Sequence, residues 1–213
     1  MLLPPAFIPP QLPTNAKAPP DGPEWIHEPK WDGYRFQVIK NGRIIRICSR
    51  RGADYSDRLP RMVGWFAALP TRAAVLDGEL CYLDATGAAN FRMLMVEMRS
   101  SSPDELPLMF LAFDLLHQNG VDLRQLPLSE RKRDLHRLLS KRGVPFVRKV
   151  QTFPNGNLLL EHYNKFGFEG VVSKRLASRY VSGSSRSWVK VKCPDWVAAN
   201  EHRGKLFEGR SKE

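Results

Sequence analysis

Hydrophobic and polar residues follow a strand-like pattern in two short runs, Tyr34–Lys40 and Arg43–Ser49, on either side of Asn41-Gly42. An Asn-Gly pair between two such runs is a strong hairpin signal, because both residues tolerate the positive φ angles of a tight turn. The sequence therefore predicts an antiparallel strand pair in this part of the chain.

In the rest of the chain, the spacing of hydrophobic residues alternates between the period of a helix and that of a strand. Helices are predicted at Ser56–Leu69 (with Pro60 in its first turn), Asn90–Arg99, Leu128–Ser140 and Asn157–Phe166. Strands are predicted at Ala73–Leu83, Pro107–Leu116, Gly170–Lys174 and Ser187–Lys192. The third helix carries a predicted basic face made of Arg131, Lys132, Arg133, Arg137 and Lys141. Hairpins with inserted helices, rather than regular βαβ units, predict an α+β fold with antiparallel sheets flanked by helices.

Composition divides the chain into three parts. Residues 1–24 hold eight of the 17 prolines, so we expect an extended arm that packs on the domain surface. Residues 25–192 form the main domain. Residues 193–213 form a short basic tail, expected to be one helix that packs back through Trp196, Ala199, Leu206 and Phe207.

The 213-residue chain has a formal net charge of +11. A cationic surface attracts polyanions, and nucleic acid is the commonest such partner, although many basic proteins bind none. No run approaches 18 apolar residues and no basic region precedes an apolar one at the start, so we expect neither a membrane span nor a signal peptide. Three widely spaced cysteines fit neither a disulfide framework nor a CxxC metal site, which indicates a reducing cytosol.

The segment EPKWDGYR, residues 28–35, precedes the predicted hairpin and carries a candidate nucleophile, Lys30. Lys-x-Asp-Gly alone is weak evidence, since a surface lysine beside an Asp-Gly turn explains it equally well. A lysine attacks only as the neutral amine, and the ordinary lysine pKa of about 10.4 leaves about one molecule in 2,500 neutral at pH 7. A site rich in cations lowers a lysine pKa and also neutralises a triphosphate.

Five further segments supply such a site: SRRG (49–52), LDGEL (76–80), FLAFD (110–114), EGVVSKR (169–175) and WVKVK (188–192). Each alone has an ordinary explanation, because Phe113 suits a core and Lys190 and Lys192 suit the wet face of a strand. Their occurrence together in one chain is what favours nucleotide chemistry.

In order and rough spacing these segments resemble the motifs of the covalent nucleotidyltransferases, which include ATP-dependent DNA ligases, RNA ligases and mRNA capping enzymes. The sequence around Lys30 looks most like that of the adenylation domain of bacterial end-joining-type ATP-dependent DNA ligases, and the similarity runs from about Pro4 to Lys192. It implies a nucleotidyltransferase (ATP-grasp-like) domain and an ATP-dependent DNA ligase of DNA repair and recombination. Such an enzyme forms a lysine–AMP intermediate, transfers AMP to a DNA 5′-phosphate and seals the nick.

The resemblance also implies roles for single residues. Lys30 would be the catalytic nucleophile, Glu28 would lie at the adenine edge, and Phe113 would stack on the ring. Gly33 would permit close approach of the backbone to the nucleotide, whereas Asp32 would shape the loop.

The remaining matched residues are expected around the sugar and phosphates. Arg35 and Glu79 would flank the ribose and phosphate, and Arg50 would meet a phosphate of ATP or of the nick. Glu169, together with Glu79, would hold Mg²⁺ or Mn²⁺. The expected contacts of the α-phosphate are Lys190 and Lys192.

The chain departs from this family at its end. The 21 residues after Lys192 are too few for a five-stranded barrel, so we expect no C-terminal OB-fold domain here. The chain is then either an excised domain or a natural minimal ligase, and an initiator-like Met1 favours the second. We expect a bacterial cytoplasmic, nucleoid-associated monomer that binds nicked double-stranded DNA, with other DNA-repair proteins as candidate partners.

Three other interpretations stay open. The chain could be an RNA ligase or a capping-type guanylyltransferase. It could also be an adenylation-competent, nucleic-acid-binding accessory module that does not complete ligation. The third is a generic basic DNA-binding domain in which the six ordered segments coincide by accident.

Overall fold

A computed structural model describes residues 6–85, 87–99, 108–140 and 144–201. They form a mixed α+β fold with curled, mainly antiparallel sheets and flanking helices, which confirms the predicted fold class. No helix among these residues is long and apolar enough to cross a membrane.

Two sheets organise the fold. The four-stranded sheet has the order β1-β10-β9-β2, and its strands are β1 (Gln11–Asn15), β2 (Trp25–Pro29), β9 (Gly170–Arg175) and β10 (Gly183–Lys192). The larger sheet has the order β4-β3-β5-β6-β7, with β8 beside β6. Its strands are β3 (Tyr34–Asn41), β4 (Ile44–Ser49), β5 (Ala73–Tyr82), β6 (Leu108–Gln118), β7 (Val121–Asp122) and β8 (Val147–Lys149).

The helices of the described residues are α1 (Pro60–Ala67), α2 (Phe91–Glu97), α3 (Leu128–Ser140), α4 (Gly156–Lys165) and α5 (Pro194–Ala199). Asn90 and Asn155 cap α2 and α4 by accepting hydrogen bonds from main-chain N–H groups in the first turn. The predicted tail residues Leu206 and Phe207, like Lys141 and Pro107, lie outside the described residues.

The main core lies between α1, α2, α3 and one face of the larger sheet. A second apolar cluster joins the two sheets, since Ile39, Val75 and Leu116 of the larger sheet belong to the same cluster as Trp188 of β10. The sheets therefore hold each other at a fixed distance, and the cleft between them is a stable place for a site.

The proline-rich arm contributes a strand to the four-stranded sheet. Strand β1 runs parallel to β10, with an irregularity between Pro13 and Thr14. Because β1 is an edge strand, Pro13 removes no hydrogen bond that the sheet interior needs.

The predicted helix Ser56–Leu69 is wrong in its first turn. A short 3₁₀ turn covers Ser56–Arg58, and α1 starts at Pro60. Leu59 between them is not helical, with φ −129° and ψ 54°, because proline disfavours the helical conformation in the residue before it.

Helix α3 has the predicted bounds, but the predicted basic face is wrong for Arg131. Its side chain is fully buried and donates two hydrogen bonds to the Asp114 carboxylate, at 2.8 and 2.9 Å. Lys132 turns to the carboxylate of Glu28. The spacing of charges along a helix does not reveal the buried carboxylates on β6 and β2 that bind these two side chains.

Candidate active site

A pocket of about 370 Å³ lies in the cleft between the two sheets. This volume is within the range of small-molecule sites. Residues predicted for the site that line it are Glu28, Lys30, Arg35, Arg50, Glu79, Phe113 and Lys190. Glu169 lies next to this group through a contact with Lys30, and Lys192 contacts Glu169 in turn.

Lys30 follows directly after β2, and its main-chain N–H donates to the Gly170 carbonyl oxygen at 2.8 Å. Its Nζ lies 2.6 Å from Glu169 Oε2, and the side chain keeps 21% of its exposure. The strand pairing of β2 with β9 therefore places an accessible amine beside a buried carboxylate at the pocket wall.

Gly33 allows a close approach, but the neighbour in the structure is protein. A Cβ at this position would lie 2.3 Å from the Leu80 carbonyl oxygen and 2.8 Å from Cys81 Sγ. The loop that carries Lys30 packs directly on β5, so this contact already requires a glycine. The close approach of a nucleotide at Gly33 stays a prediction.

Glu79 and Glu169 bring two carboxylates to the same end of the pocket. Burial raises the pKa of Glu79 to about 8; the charges of Glu169 and Asp77 act in the same direction, and those of Lys30 and Arg35 oppose it. Within the described part of the chain, no third His, Cys, Asp or Glu completes a metal-binding cluster. Mg²⁺ suits such a pair, because it commonly binds one or two carboxylates and takes its other ligands from substrate phosphates and water.

Arg35 is held as a rigid guanidinium in the pocket wall. Its Nε and Nη2 donate to the two carboxylate oxygens of Asp77, at 3.0 and 2.7 Å. Burial acts to lower the pKa of Arg35, but the charge and hydrogen bonds of Asp77 outweigh it and raise the pKa overall. A permanently charged donor group therefore faces the pocket.

Glu28 lies on the pocket floor between two lysines. Its side chain is almost fully buried, with Lys174 at 2.7 Å from one carboxylate oxygen and Lys132 bonded to the other. Burial acts to raise the pKa of Glu28, but the charges of Lys132 and Lys174 outweigh it, so the pKa is lowered and the carboxylate stays ionised. Burial lowers the pKa of Lys174 to about 8, against the opposing effect of Glu28.

Phe113 lies beside this buried pair. Lys174 Nζ is 4.2 Å from the centroid of the Phe113 ring, and the Arg35 guanidinium carbon is 5.1 Å from it. The ring is half-buried and lines the pocket, so it offers a flat apolar surface next to the Glu28 carboxylate.

Several cations lie near Lys190, which lines the pocket. Burial lowers the pKa of Lys190, and the charges of Lys30, Lys192 and Arg50 lower it further. Lys192 lies 3.6 Å from Glu169 and 4.6 Å from the centre of the Trp196 ring system. The arrangement suits a polyphosphate, because several cations face the same volume.

Sequence reasoning assigned no role to several residues of this site. Lys174 and Asp77 occur inside the quoted segments, and a charged residue within an otherwise apolar strand could have indicated a role for each. Tyr180 and the lining residues Leu12 and Pro13 lie outside those segments and gave no such signal.

Comparisons with known proteins agree with this geometry. A family profile described as "ATP dependent DNA ligase domain" matches residues 15–192. The "Multifunctional non-homologous end joining protein LigD" of Pseudomonas aeruginosa is 37% identical over 190 residues, which cover 89% of this chain and 22% of that protein. The "Bifunctional non-homologous end joining protein LigD" of Bacillus subtilis is 30% identical over 202 residues, covering 84% and 33%. The chain thus spans about a fifth to a third of the length of these relatives.

Among solved structures, "mycobacterial DNA ligase D complexed with ATP and MES" superimposes with a TM-score of 0.73 at 30% identity, covering 86% of this chain and 59% of that one. A structure of Lig E DNA ligases, described as "DNA binding with a minimal scaffold", has a TM-score of 0.65 at 20% identity and covers 88% and 69%. The second match shows the same fold only.

Proposed function

The chain belongs to the ATP-dependent DNA ligase domain family, and from that premise we propose that it adenylates itself on Lys30 and passes the AMP to nicked DNA. The observation that carries the proposal is the position of the Lys30 amine, at the wall of a pocket that is also lined by the Glu28 carboxylate, the Phe113 ring and Lys190 with its neighbouring cations.

The first step is attack of the Lys30 amine on the α-phosphate of ATP. A nitrogen–phosphorus bond forms, the bond from the α-phosphorus to the bridging oxygen breaks, and pyrophosphate leaves. The ion pair with Glu169 must open for this step, and Glu169 Oε2, at 2.6 Å, is within reach of the proton that the amine loses.

We assign the base to the Glu28 end of the pocket. The ionised Glu28 accepts a hydrogen bond from the exocyclic amine of adenine, and the Phe113 ring supports the face of the base. Arg35 and Glu79 then lie at the level of the ribose and α-phosphate.

The phosphates lie at the cationic end in this proposal. Arg50, Lys190 and Lys192 neutralise the triphosphate and the negative charge that develops as pyrophosphate leaves. Glu79 and Glu169 would hold Mg²⁺ or Mn²⁺, which supplies further neutralisation of phosphate charge when bound. The raised pKa of Glu79 supports this assignment, because burial and the neighbouring carboxylates of Glu169 and Asp77 disfavour its negative charge, which a bound cation would stabilise.

In the later steps AMP moves from Lys30 to the 5′-phosphate of a nick, and the 3′-hydroxyl displaces AMP to seal the strand. A net charge of +11 supports duplex DNA as the partner. Relatives described as non-homologous end joining proteins favour DNA repair in the bacterial cytoplasm as the setting.

Intact mass measured before and after incubation with ATP and Mg²⁺ tests the proposal. We expect a species heavier by one AMP in the natural chain and none in Lys30→Ala. An adduct that persists in Lys30→Ala would remove the assignment of the nucleophile, and a well-folded natural chain that never gains AMP would remove the proposed activity.

A second assay on nicked duplex DNA separates the steps. Sealed product indicates that this chain completes ligation. Adduct formation without sealing would instead favour an adenylation module, and a parallel assay with GTP and with nicked RNA separates DNA ligase from the capping and RNA ligase alternatives.

A further inference from the structure

The Arg35 guanidinium is fixed on two sides before any nucleotide arrives. Asp77 accepts from Nε and Nη2, and the Gln11 carbonyl oxygen accepts from Nη1 at 2.8 Å. A guanidinium has five N–H groups, and these three bonds, together with the contact of Nη2 with the Tyr180 hydroxyl, leave one hydrogen of Nη1 without an acceptor among the described residues. Arg35 lines the pocket, so this hydrogen is the one available to a ligand.

Tyr180 connects the two groups that hold Arg35. Its hydroxyl donates to Asp77 Oδ2 at 2.6 Å and accepts from the Gln11 main-chain N–H at 3.0 Å. Nη2 of Arg35 lies a further 3.4 Å from the same oxygen. One hydroxyl therefore sets the distance between the carboxylate and the β1 backbone on which Arg35 rests.

The segment around Tyr180 is itself tied to β1. Gln11 is fully buried; its Oε1 accepts from the Val181 N–H at 2.8 Å, and its Nε2 donates to Ser187 Oγ at 3.2 Å. Burial raises the pKa of Tyr180, and the Asp77 charge raises it further, so the hydroxyl keeps the proton that it donates. The ring packs edge-on against Trp188, independently of the hydroxyl.

We propose that Tyr180 is a positioning residue for the nucleotide: through Asp77 and the backbone of Gln11, its hydroxyl fixes the orientation in which Arg35 offers its remaining N–H to ATP. The inference rests on the proposed function, because it names a residue that prepares the same site. It extends the site beyond the six sequence segments, to a tyrosine between the fifth and sixth of them and to the proline-rich arm.

Tyr180→Phe tests the proposal, because it removes the hydroxyl and keeps the ring. ATP affinity is measured without divalent metal by calorimetry, and the rate of Lys30 adenylation is measured against ATP concentration with Mg²⁺. We expect ATP binding weakened roughly five- to thirtyfold, the size of one charge-assisted hydrogen bond, with a similar rise in the ATP concentration for half-maximal rate. The maximal rate should change by less than about threefold, since Tyr180 does not touch the reacting atoms.

Tyr163→Phe is the matched control. Tyr163 is a buried tyrosine on α4, outside the pocket lining. Its phenylalanine variant should bind ATP as the natural chain does, and its melting temperature gives the reference against which that of Tyr180→Phe is compared.

A double-mutant cycle with Arg35 separates positioning from a general structural effect. In an Arg35→Ala background, Tyr180→Phe should have no further effect on ATP affinity. If removal of Arg35 prevents folding, Arg35→Lys keeps a charge for Asp77 and completes the cycle.

Unchanged ATP affinity in Tyr180→Phe, or an equal loss with and without the Arg35 guanidinium, would overturn the inference while leaving Lys30 adenylation intact. If the natural chain neither binds ATP nor gains AMP, the proposed function fails and the inference fails with it.

Discussion

Lys30 Nζ lies 2.6 Å from Glu169 Oε2, because Lys30 follows β2, Glu169 precedes β9, and the two strands pair with Pro29 opposite Val171. The register of the two strands thus brings the candidate nucleophile next to its carboxylate partner. The contact occupies the amine, so we expect it to open before Lys30 can attack.

Replacement of Glu169 by glutamine should therefore abolish most of the adenylation while the fold survives. The substitution keeps the shape but removes both the charge and the proton acceptor beside Lys30. We expect a fall in adenylation rate of about 10²-fold or more, measured by mass or by radiolabel transfer. Glu161→Gln, at an exposed position on α4, is the control and should behave as the natural chain. Equal rates in both variants would remove Glu169 from the reaction.

Gly33→Ala should slow adenylation through the position of the Lys30 loop. The added Cβ would lie 2.3 Å from the Leu80 carbonyl oxygen, so the loop must move away from β5. A displacement of this kind commonly costs about 10²-fold in rate. Gly64→Ala is the matched control: it lies in α1 with no atom within 4 Å of the added Cβ, and it should stabilise the fold by about 0.5–1 kcal/mol. A Gly33→Ala variant that adenylates at the full rate would contradict the packing argument.

The local elements of the fold could be predicted from sequence, because they depend on neighbouring residues. The Asn41-Gly42 hairpin and the bounds of α3 follow from turn preference and apolar spacing alone. The Glu28 end of the site could not be predicted in full. Lys132 is drawn inward by a carboxylate 104 positions away, and no local pattern carries that information.

Long-range contacts also limit what could be predicted for the proline-rich arm. Proline content predicted an extended segment, but the pairing of β1 with β10 depends on Gln11, whose polar groups are satisfied by residues 24 to 176 positions away. A contact of that range leaves no mark on either segment read alone. The chemical roles assigned to the site residues stay predictions, because proximity in the pocket does not by itself establish them.

Lys174→Met should change how stability depends on pH. The folded pKa of Lys174 is about 8, below the ordinary value of 10.5, because the side chain is buried. Between these values the unfolded chain binds more protons at this residue than the folded chain, so the residue's contribution to stability increases as pH rises and is lost as pH falls to 8. Denaturant unfolding at pH 7.5 and pH 10 should show the natural chain gaining stability relative to Lys174→Met, by roughly 1.4 kcal/mol per pH unit at most. A constant difference would contradict this pKa.

Lys40→Met should destabilise the fold without affecting the nucleotide pocket. The buried Lys40 ammonium donates to the carbonyl oxygens of Phe66, Ala67 and Leu69, at 2.9, 2.6 and 3.2 Å, and so satisfies the C-terminal end of α1. Its removal takes away the 2.6 Å bond to the Ala67 carbonyl oxygen, whereas the Phe66 and Leu69 oxygens keep main-chain bonds from the N–H groups of Leu69 and Thr71. We therefore expect a loss of roughly 1–3 kcal/mol in the free energy of unfolding. Lys165→Met, an exposed position on α4, should lose less than about 0.5 kcal/mol. Equal stability of the two variants would show that the cap contributes little.

Alanine variants of Arg50 and Arg51 should distinguish ATP binding from DNA binding. Both are exposed, but Arg50 lines the pocket and its charge helps to lower the pKa of Lys190, whereas Arg51 does neither. Arg50→Ala should therefore raise the ATP concentration needed for half-maximal adenylation by about tenfold, the effect of one lost phosphate contact. Arg51→Ala should leave adenylation unchanged.

Binding to a nicked duplex provides the second readout, because phosphate contacts weaken with salt. Replacement of an arginine that contacts a DNA phosphate should reduce the steepness of the plot of log affinity against log salt concentration by about one. We expect this reduction for Arg51→Ala, measured by fluorescence anisotropy between about 50 and 200 mM salt. A reduced adenylation rate in Arg51→Ala, or an unaltered one in Arg50→Ala, would contradict the assignment of Arg50 to ATP and of Arg51 to DNA. That assignment depends on one difference between two adjacent exposed arginines, which is that Arg50 lines the pocket.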